Sequence, residues 1–246
     1  MTLSLNEFEA ILKDNFEKNS LSELLSDKTV QKLYSLCELL QKANAQTNLT
    51  AIDKTEDIIA KHFADSLIAC RHYAQGAKVI DIGCGAGFPS LPLAIVRGDL
   101  KITALDSTGK KIDFVRNTAK ALGLDNINAV CARAEEYVAT EGMRESFDHA
   151  TARAVSRLNL LSELEMPFVK LGGSFVALKA KDGEAELKEA ENGIKLFGGK
   201  LDVFEKCTLI ECDGYESQRA VIVIKKFSPT PEKFPRAYAK IAKKPM

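Results

Sequence analysis

The chain has no apolar run approaching the roughly eighteen residues that a membrane-spanning helix needs. Its opening, MTLSLNEFEAILKDNFEK, carries acids where a secretory leader carries bases. Metal-knuckle spacing is missing too: Cys37, Cys70, Cys84, Cys131, Cys207 and Cys212 include no CxxC pair and have no histidines at zinc spacing. The same pattern argues against a disulfide framework, so buried, reduced thiols, no metal and a cytoplasmic location are the expectation. Formal net charge is +0, which gives no bulk attraction for a polyanion. No internal repeat or low-complexity tract occurs.

What is present reads as an ordinary globular composition, with 46% hydrophobic and 28% charged residues among 246, enough to bury a substantial core. Charge is unevenly placed. Residues 1–60 hold ten acids against six Lys/Arg, whereas Lys225 to Met246 hold seven Lys/Arg against Glu232 alone. That polarity marks the C-terminus as the candidate basic surface.

The first 75 residues read as helix: Leu21, Leu24 and Leu25, then Val30, Leu33, Leu36, Leu39 and Leu40, recur at three- and four-residue spacing. Thr50 to Asp53 reads as a loop and Thr55 as a helix cap. From Lys78 the texture changes. Short apolar runs (AKVIDIG, LKITALD, INAVCA, FDHATA, GSFVALKA) alternate with amphipathic stretches such as KKIDFVRNTAKALG, the pattern of βαβ units in a parallel sheet. KLDVFEKCTLIEC and QRAVIVIKK lie too close together for a parallel crossover and predict an antiparallel hairpin. The tail FSPTPEKFPRAYAKIAKKPM, with four prolines and no period, reads as an irregular surface segment. These divisions give a helical cap over 1–75, an α/β domain over 76–226 and a basic tail over 227–246.

VIDIGCGAGFPSLPL occupies the first strand-to-helix turn, the usual ligand position in an open α/β sheet. A dinucleotide site wants GxGxxG, yet the third glycine falls on Phe88 in one frame and on Ser90 in the other. Pro89 and Pro92 also remove N–H donors that a pyrophosphate would need. A cofactor without phosphate fits better, and S-adenosylmethionine (SAM) is the candidate. Gly83, Gly85 and Gly87 let it approach the backbone. Asp81 orients the loop or the ammonium of SAM. Asp106, 23 residues after Gly83, stands where an acceptor takes ribose hydroxyls.

NLTAI, KHFADSL, DIGCGAGFPSLPLAI, LDSTGKKIDFV, ARAEE and ARAV, in this order between about Asn48 and Lys226, resemble the GidB family of small-subunit ribosomal RNA methyltransferases. The resemblance implies a class I SAM-dependent, Rossmann-like α/β fold: a mostly parallel seven-stranded sheet with an antiparallel terminal hairpin, plus the N-terminal helical cap. It implies methylation of N7 of one guanine in small-subunit rRNA. The partner expected is that rRNA or a ribosomal particle, with no membrane and with the protein as a monomer. Carried over by motif, Gly83 and Phe88 contact SAM at the loop, Ala134 and Glu135 hold the adenine edge, and Arg153 sits in the active-site region. Two departures stand out: Ser90 where the family commonly has glycine, and a tail that keeps Pro235, Arg236, Lys243 and Pro245 but loses a glycine and a proline.

Guanine N7 has a lone pair and no proton to lose, so this chemistry needs positioning rather than a general base. Arg153 and Lys179 are candidates to anchor a phosphate or the base's O6. His62, with Asp65 and Ser66, invites a catalytic reading, but four-residue helical spacing places His62 and Ser66 on one face, where pinning the helical region to the sheet is the preferred role; Asn48 and Thr50 stand beside the substrate. Lys110 and Lys111, with Arg236, Lys240, Lys243 and Lys244, are candidates for an RNA-binding stripe, against the alternative of a solvated helix face. The rival functions are a small-molecule or protein methyltransferase on this fold and a non-catalytic SAM- or RNA-binding module.

Overall fold

The structure is a computed structural model that describes residues 3–246. Two serine caps start the N-terminal helices. Ser4 caps α1 (Leu5–Lys18), accepting from the Glu7 N–H while the Glu7 carboxylate accepts from the Ser4 N–H, and Ser26 opens α2 (Asp27–Thr47) in the same reciprocal way with Thr29. Helix α2 stops at Asn48, which takes the left-handed conformation (φ 48°). The next helix is not uniform. It runs through α3 (Thr55–Asp57), a π-helical stretch over Ile58–Ala64 and α4 (Asp65–Leu67), with Lys54 rather than Thr55 at the N-cap position. Within it the Asp65 N–H reaches back five residues to the Ala60 carbonyl. This inserted residue breaks the four-residue register expected between His62 and Ser66, and π-turns of this kind concentrate at functional sites.

The α/β part follows as β1 (Lys78–Ile82), α5 (Ser90–Val96), β2 (Lys101–Asp106), α6 (Gly109–Ala121), β3 (Ile127–Cys131), α7 (Ala134–Tyr137), β4 (Phe147–Arg153), α8 (Leu158–Glu165), β5 (Val169–Ala180), α9 (Gly183–Leu196), β6 (Gly199–Ile210), β7 (Glu216–Lys226) and α10 (Tyr238–Lys243). Seven strands form one sheet in the order β3-β2-β1-β4-β5-β7-β6. Pairs among β1 to β5 are parallel, and β7 runs antiparallel to both β5 and β6, as the hairpin reading requires. Strand order reverses between β1 and β4, so the carboxyl ends of β1, β2 and β4 surround the switch-point crevice.

Both faces of the sheet are covered, which is why β1 and the interior of β5 read as continuous apolar runs. On one face Leu33, Leu36 and Leu40 of α2 share an apolar cluster with Leu91 of α5 and Ile112 of α6. On the other, Leu161 of α8, Ile194 of α9 and Ile241 of α10 pack with Phe175 and Ile222. No helix among the described residues is long and apolar enough to cross a membrane.

The tail differs from the irregular surface segment expected from its prolines. Phe234 and Ile241 are buried, and the Phe234 ring sits edge-on to Phe197 at 5.0 Å. Arg144 donates to the carbonyls of Thr230, Pro231 and Phe234. Part of the basic C-terminal charge also turns inward. Lys226 is buried and donates to Glu145, the Met166 carbonyl and Thr230, while Arg236 pairs with the buried Glu163.

Candidate active site

The glycine loop leaves β1 and is tied to the end of β2. The N–H groups of Gly83 and Cys84 both donate to the Leu105 carbonyl (2.8 and 3.1 Å). The Gly85 N–H donates to Asp106 Oδ2 at 3.0 Å, and the Thr108 N–H to Asp106 Oδ1 at 2.8 Å. Each Asp106 oxygen keeps a lone pair, so the carboxylate holds the loop and can still accept from hydroxyls. Asp81 lies beneath the loop, fully buried, where its Oδ2 accepts from the Ser90 hydroxyl and, at 3.2 Å, from the Ser90 N–H. Of its two expected roles, the loop-orienting one matches these bonds; with no exposed surface, Asp81 does not reach an ammonium in the cleft. Burial pushes its carboxyl up to about 7, against the Ser90 bonds that pull it down. Ser90, the departure without an explanation in the sequence, is thus the donor this buried acid requires.

The glycines divide by position. Gly83 (φ 75°) borders a cleft of about 340 Å³ together with Asp106, Ala134 and Glu135, and a Cβ there would lie 2.9 Å from a Val155 methyl. Gly87 (φ 89°) faces the protein: a Cβ would meet Leu91 at 2.5 Å and Val115 at 3.2 Å, so close helix packing requires a glycine here. Phe88 is likewise buried, stacked on the His62 ring at 4.2 Å, and lies away from the cleft lining. Burial holds the Cys84 thiol well above its ordinary range, which leaves it inert.

The start of α5 offers nothing to a phosphate. Pro89 and Pro92 have no N–H, the Ser90 N–H is spent on Asp81, and the Leu91 and Leu93 N–H groups donate to the Gly87 and Pro89 carbonyls. The space beside Gly83, the open side of Gly85 and the free lone pairs of Asp106 fit the phosphate-free SAM.

Beside the cleft, across the corner that follows β4, lies a second cavity of about 240 Å³ lined by Asp65, Arg153, Lys179 and Arg219 among others. Ala154, at the corner, has φ 55°, a strained setting for a side-chain-bearing residue and one that clusters at working sites. Asp65 bridges two arginines, accepting from Arg153 at 2.8 Å and from Arg219 Nε at 2.6 Å. Arg153 also donates to the Lys61 carbonyl and to His62 Nδ1, while its buried Nε has no partner among the described residues. Lys179 is engaged: it pairs with Glu186 at 2.7 Å and donates to the Ser156 carbonyl at 2.6 Å, holding the same corner. Arg219 was not visible in the sequence, where it is one charge at the start of an apolar strand; it faces Asp65 only because β7 is placed beside β5.

The candidate RNA residues fall into two groups. Lys240, Lys243 and Lys244 are exposed on or beside α10; exposed Lys110 reaches the Thr47 carbonyl, and half-buried Lys111 borders the cleft. Arg236 does not belong with them. Its guanidinium is bidentate on Glu163 (2.8 and 2.6 Å), so its charge is used inside the protein to dock the tail.

The GidB family model, described as rRNA small subunit methyltransferase G, matches residues 29–211. Proteins of the name ribosomal RNA small subunit methyltransferase G are similar over nearly the whole chain. That of Staphylococcus carnosus is 44% identical over 90% of this chain and 92% of its own length. That of Alkaliphilus metalliredigens is 39% identical over 98% of this chain and 99% of its own. Among solved structures, a SAM-dependent methyltransferase from Aquifex aeolicus superposes with a TM-score of 0.51 at 15% identity, covering 72% of this chain and 97% of that one, a likeness of fold.

Proposed function

The chain belongs to the GidB family, rRNA small subunit methyltransferase G, and from that membership we propose that it transfers a methyl group from SAM to N7 of one guanine in small-subunit rRNA. It is a SAM-dependent rRNA methyltransferase. The choice of N7 is supported by one observation above the others. Next to the Gly83–Asp106 cleft, the second cavity is lined by Arg153 and Arg219, its carboxylates Asp65 and Glu186 are ion-paired, and His62 behind Arg153 is committed as a hydrogen-bond acceptor, so among the described residues no free base lines it. N7 gives up no proton on methylation, so such a site suits it.

SAM supplies the electrophilic methyl on its sulfonium. The chain's own residues bind and orient. Gly83 and Gly85 admit the cofactor close to the backbone, Asp106 accepts from its ribose hydroxyls, and Ala134 and Glu135 border its adenine. Arg153 and Arg219, clamped together by Asp65, present their remaining N–H donors to the guanine O6 or a flanking phosphate. Lys179 positions the corner between the two cavities. Holding donor and acceptor together in a reactive arrangement is worth about 7–11 kcal/mol of barrier. Lys110, Lys111, Lys240, Lys243 and Lys244 supply the sequence-independent attraction for the RNA backbone. The protein acts as a cytoplasmic monomer in this reading.

Transfer of label from methyl-labelled SAM separates the readings. Incorporation into small-subunit rRNA, naked or in a particle, is expected. Label appearing in protein or small molecules but in no RNA would overturn the proposal, as would binding of SAM without any transfer.

A further inference from the structure

Tyr238 is a large aromatic side chain that is 42% exposed, although Phe234 before it and Ile241 after it are buried. It is the first residue of α10, and it borders the same cleft as Gly83, Asp106, Ala134 and Glu135. Its backbone N–H donates to Glu135 Oε1 at 3.3 Å, and neither residue lines the arginine cavity. The anchoring on either side is firm. Two residues before it, Arg236 grips the fully buried Glu163 through its guanidinium and its backbone N–H (2.9 Å). Three residues after it, Ile241 is buried in the core. A short helix is therefore held at both ends so that one aromatic ring stands at the rim of a cleft. That ring has no aromatic partner of its own among the described residues.

We infer that Tyr238 is a cofactor-binding residue, its ring covering the adenine of SAM, and that the C-terminal helix is a wall of the cofactor site. This rests on the reading of the cleft as the SAM site. The chemistry is that of a flat, amphipathic ring at a wet rim: the face buries the purine while the hydroxyl stays in water. The tail then has two sides. Tyr238 faces the cofactor, and Lys240, Lys243 and Lys244 face solvent.

Isothermal calorimetry on the full-length chain tests this with two probes, SAM and 5′-methylthioadenosine, which keeps the adenosine but lacks the amino-acid half. Tyr238→Ala is expected to weaken both probes about tenfold, because the lost contact lies on the adenosine. Tyr238→Phe is expected to bind both within about threefold of the unaltered protein. The thermal midpoint without ligand is expected to be the same in all three proteins, since Tyr238 is half exposed. Equal affinities in Tyr238→Ala and the unaltered protein would overturn the inference and leave the SAM site standing. A loss with SAM but not with methylthioadenosine would overturn it too, by placing Tyr238 on the amino-acid half. Failure of the unaltered protein to bind either probe would overturn the SAM reading itself.

Discussion

Nδ1 of His62 lies 3.1 Å from a guanidinium nitrogen of Arg153. Arginine only donates, so that ring nitrogen is the acceptor, and the imidazole proton sits on Nε2, where it is donated to Thr50 Oγ1 at 3.1 Å. Stacking on Phe88 fixes the plane of the ring. A histidine that two neighbours hold neutral is a strut between the π-helical stretch and β4, and it cannot serve as an acid without losing Arg153.

The first prediction concerns pH. Burial, reinforced by the Arg153 charge, holds His62 at about 3, against an ordinary value of 6.5. The unfolded chain takes up a proton below 6.5 that the folded protein refuses. The His62 contribution to stability is therefore complete above pH 6.5 and is lost as pH falls toward 3, at up to about 1.4 kcal/mol per pH unit. His62→Gln keeps an acceptor for Arg153 and cannot titrate. Urea unfolding between pH 6.5 and 4 should show a shallower acid loss in the variant, and identical slopes would contradict this account.

Ser90→Ala should be destabilising, by about 1–3 kcal/mol at pH 8, because it removes a donor from a buried carboxylate whose other oxygen has no partner among the described residues. The raised Asp81 group is protonated in the folded state below about 7, and the cost of charging it appears as pH rises through that value. The defect should therefore be larger at pH 8 than at pH 5. A pH-independent defect would show that the hydroxyl does not serve Asp81.

Glu165 gives the opposite variant. It is fully buried, neither oxygen has a partner among the described residues, and burial together with the Asp81 charge pushes its carboxyl well above the ordinary 4.5. Folding must then protonate it, and its contribution to stability falls as pH rises above 4.5. Glu165→Gln, permanently uncharged, should gain on the unaltered protein over that range by up to about 1.4 kcal/mol per pH unit. Parallel pH curves from denaturant titrations would contradict the assignment.

The parts of this protein visible in the sequence were those carried by neighbours in the chain. The alternation of apolar runs and amphipathic segments led to the parallel sheet, the short link before QRAVIVIKK led to the hairpin, and the two failed GxGxxG frames led away from phosphate. What escaped depends on distant pairs. Ser90 has meaning only once Asp81 is beneath it, and Arg219 only once β7 places it against Asp65, 154 residues earlier. The tail looked irregular because prolines hide a helix of six residues, and because its anchor, Glu163, lies 73 residues from Arg236. Gly87 was read as opening the backbone to the cofactor and Phe88 as touching it by motif, and the structure adds that Gly87 packs on Leu91 and Val115 and Phe88 stacks on His62; residues that shape a loop and residues that touch its ligand give the same pattern in a sequence.

The most direct test of the central claim is to map the methyl group. Small-subunit rRNA, both naked and in particles, is incubated with the protein and SAM, then reduced with borohydride and cleaved with aniline, which breaks the chain at N7-methylguanine. The account predicts one new cleavage, at a single guanine, lost with Asp106→Ala. Methyl incorporation without such a cleavage, or cleavage at many guanines, would contradict it.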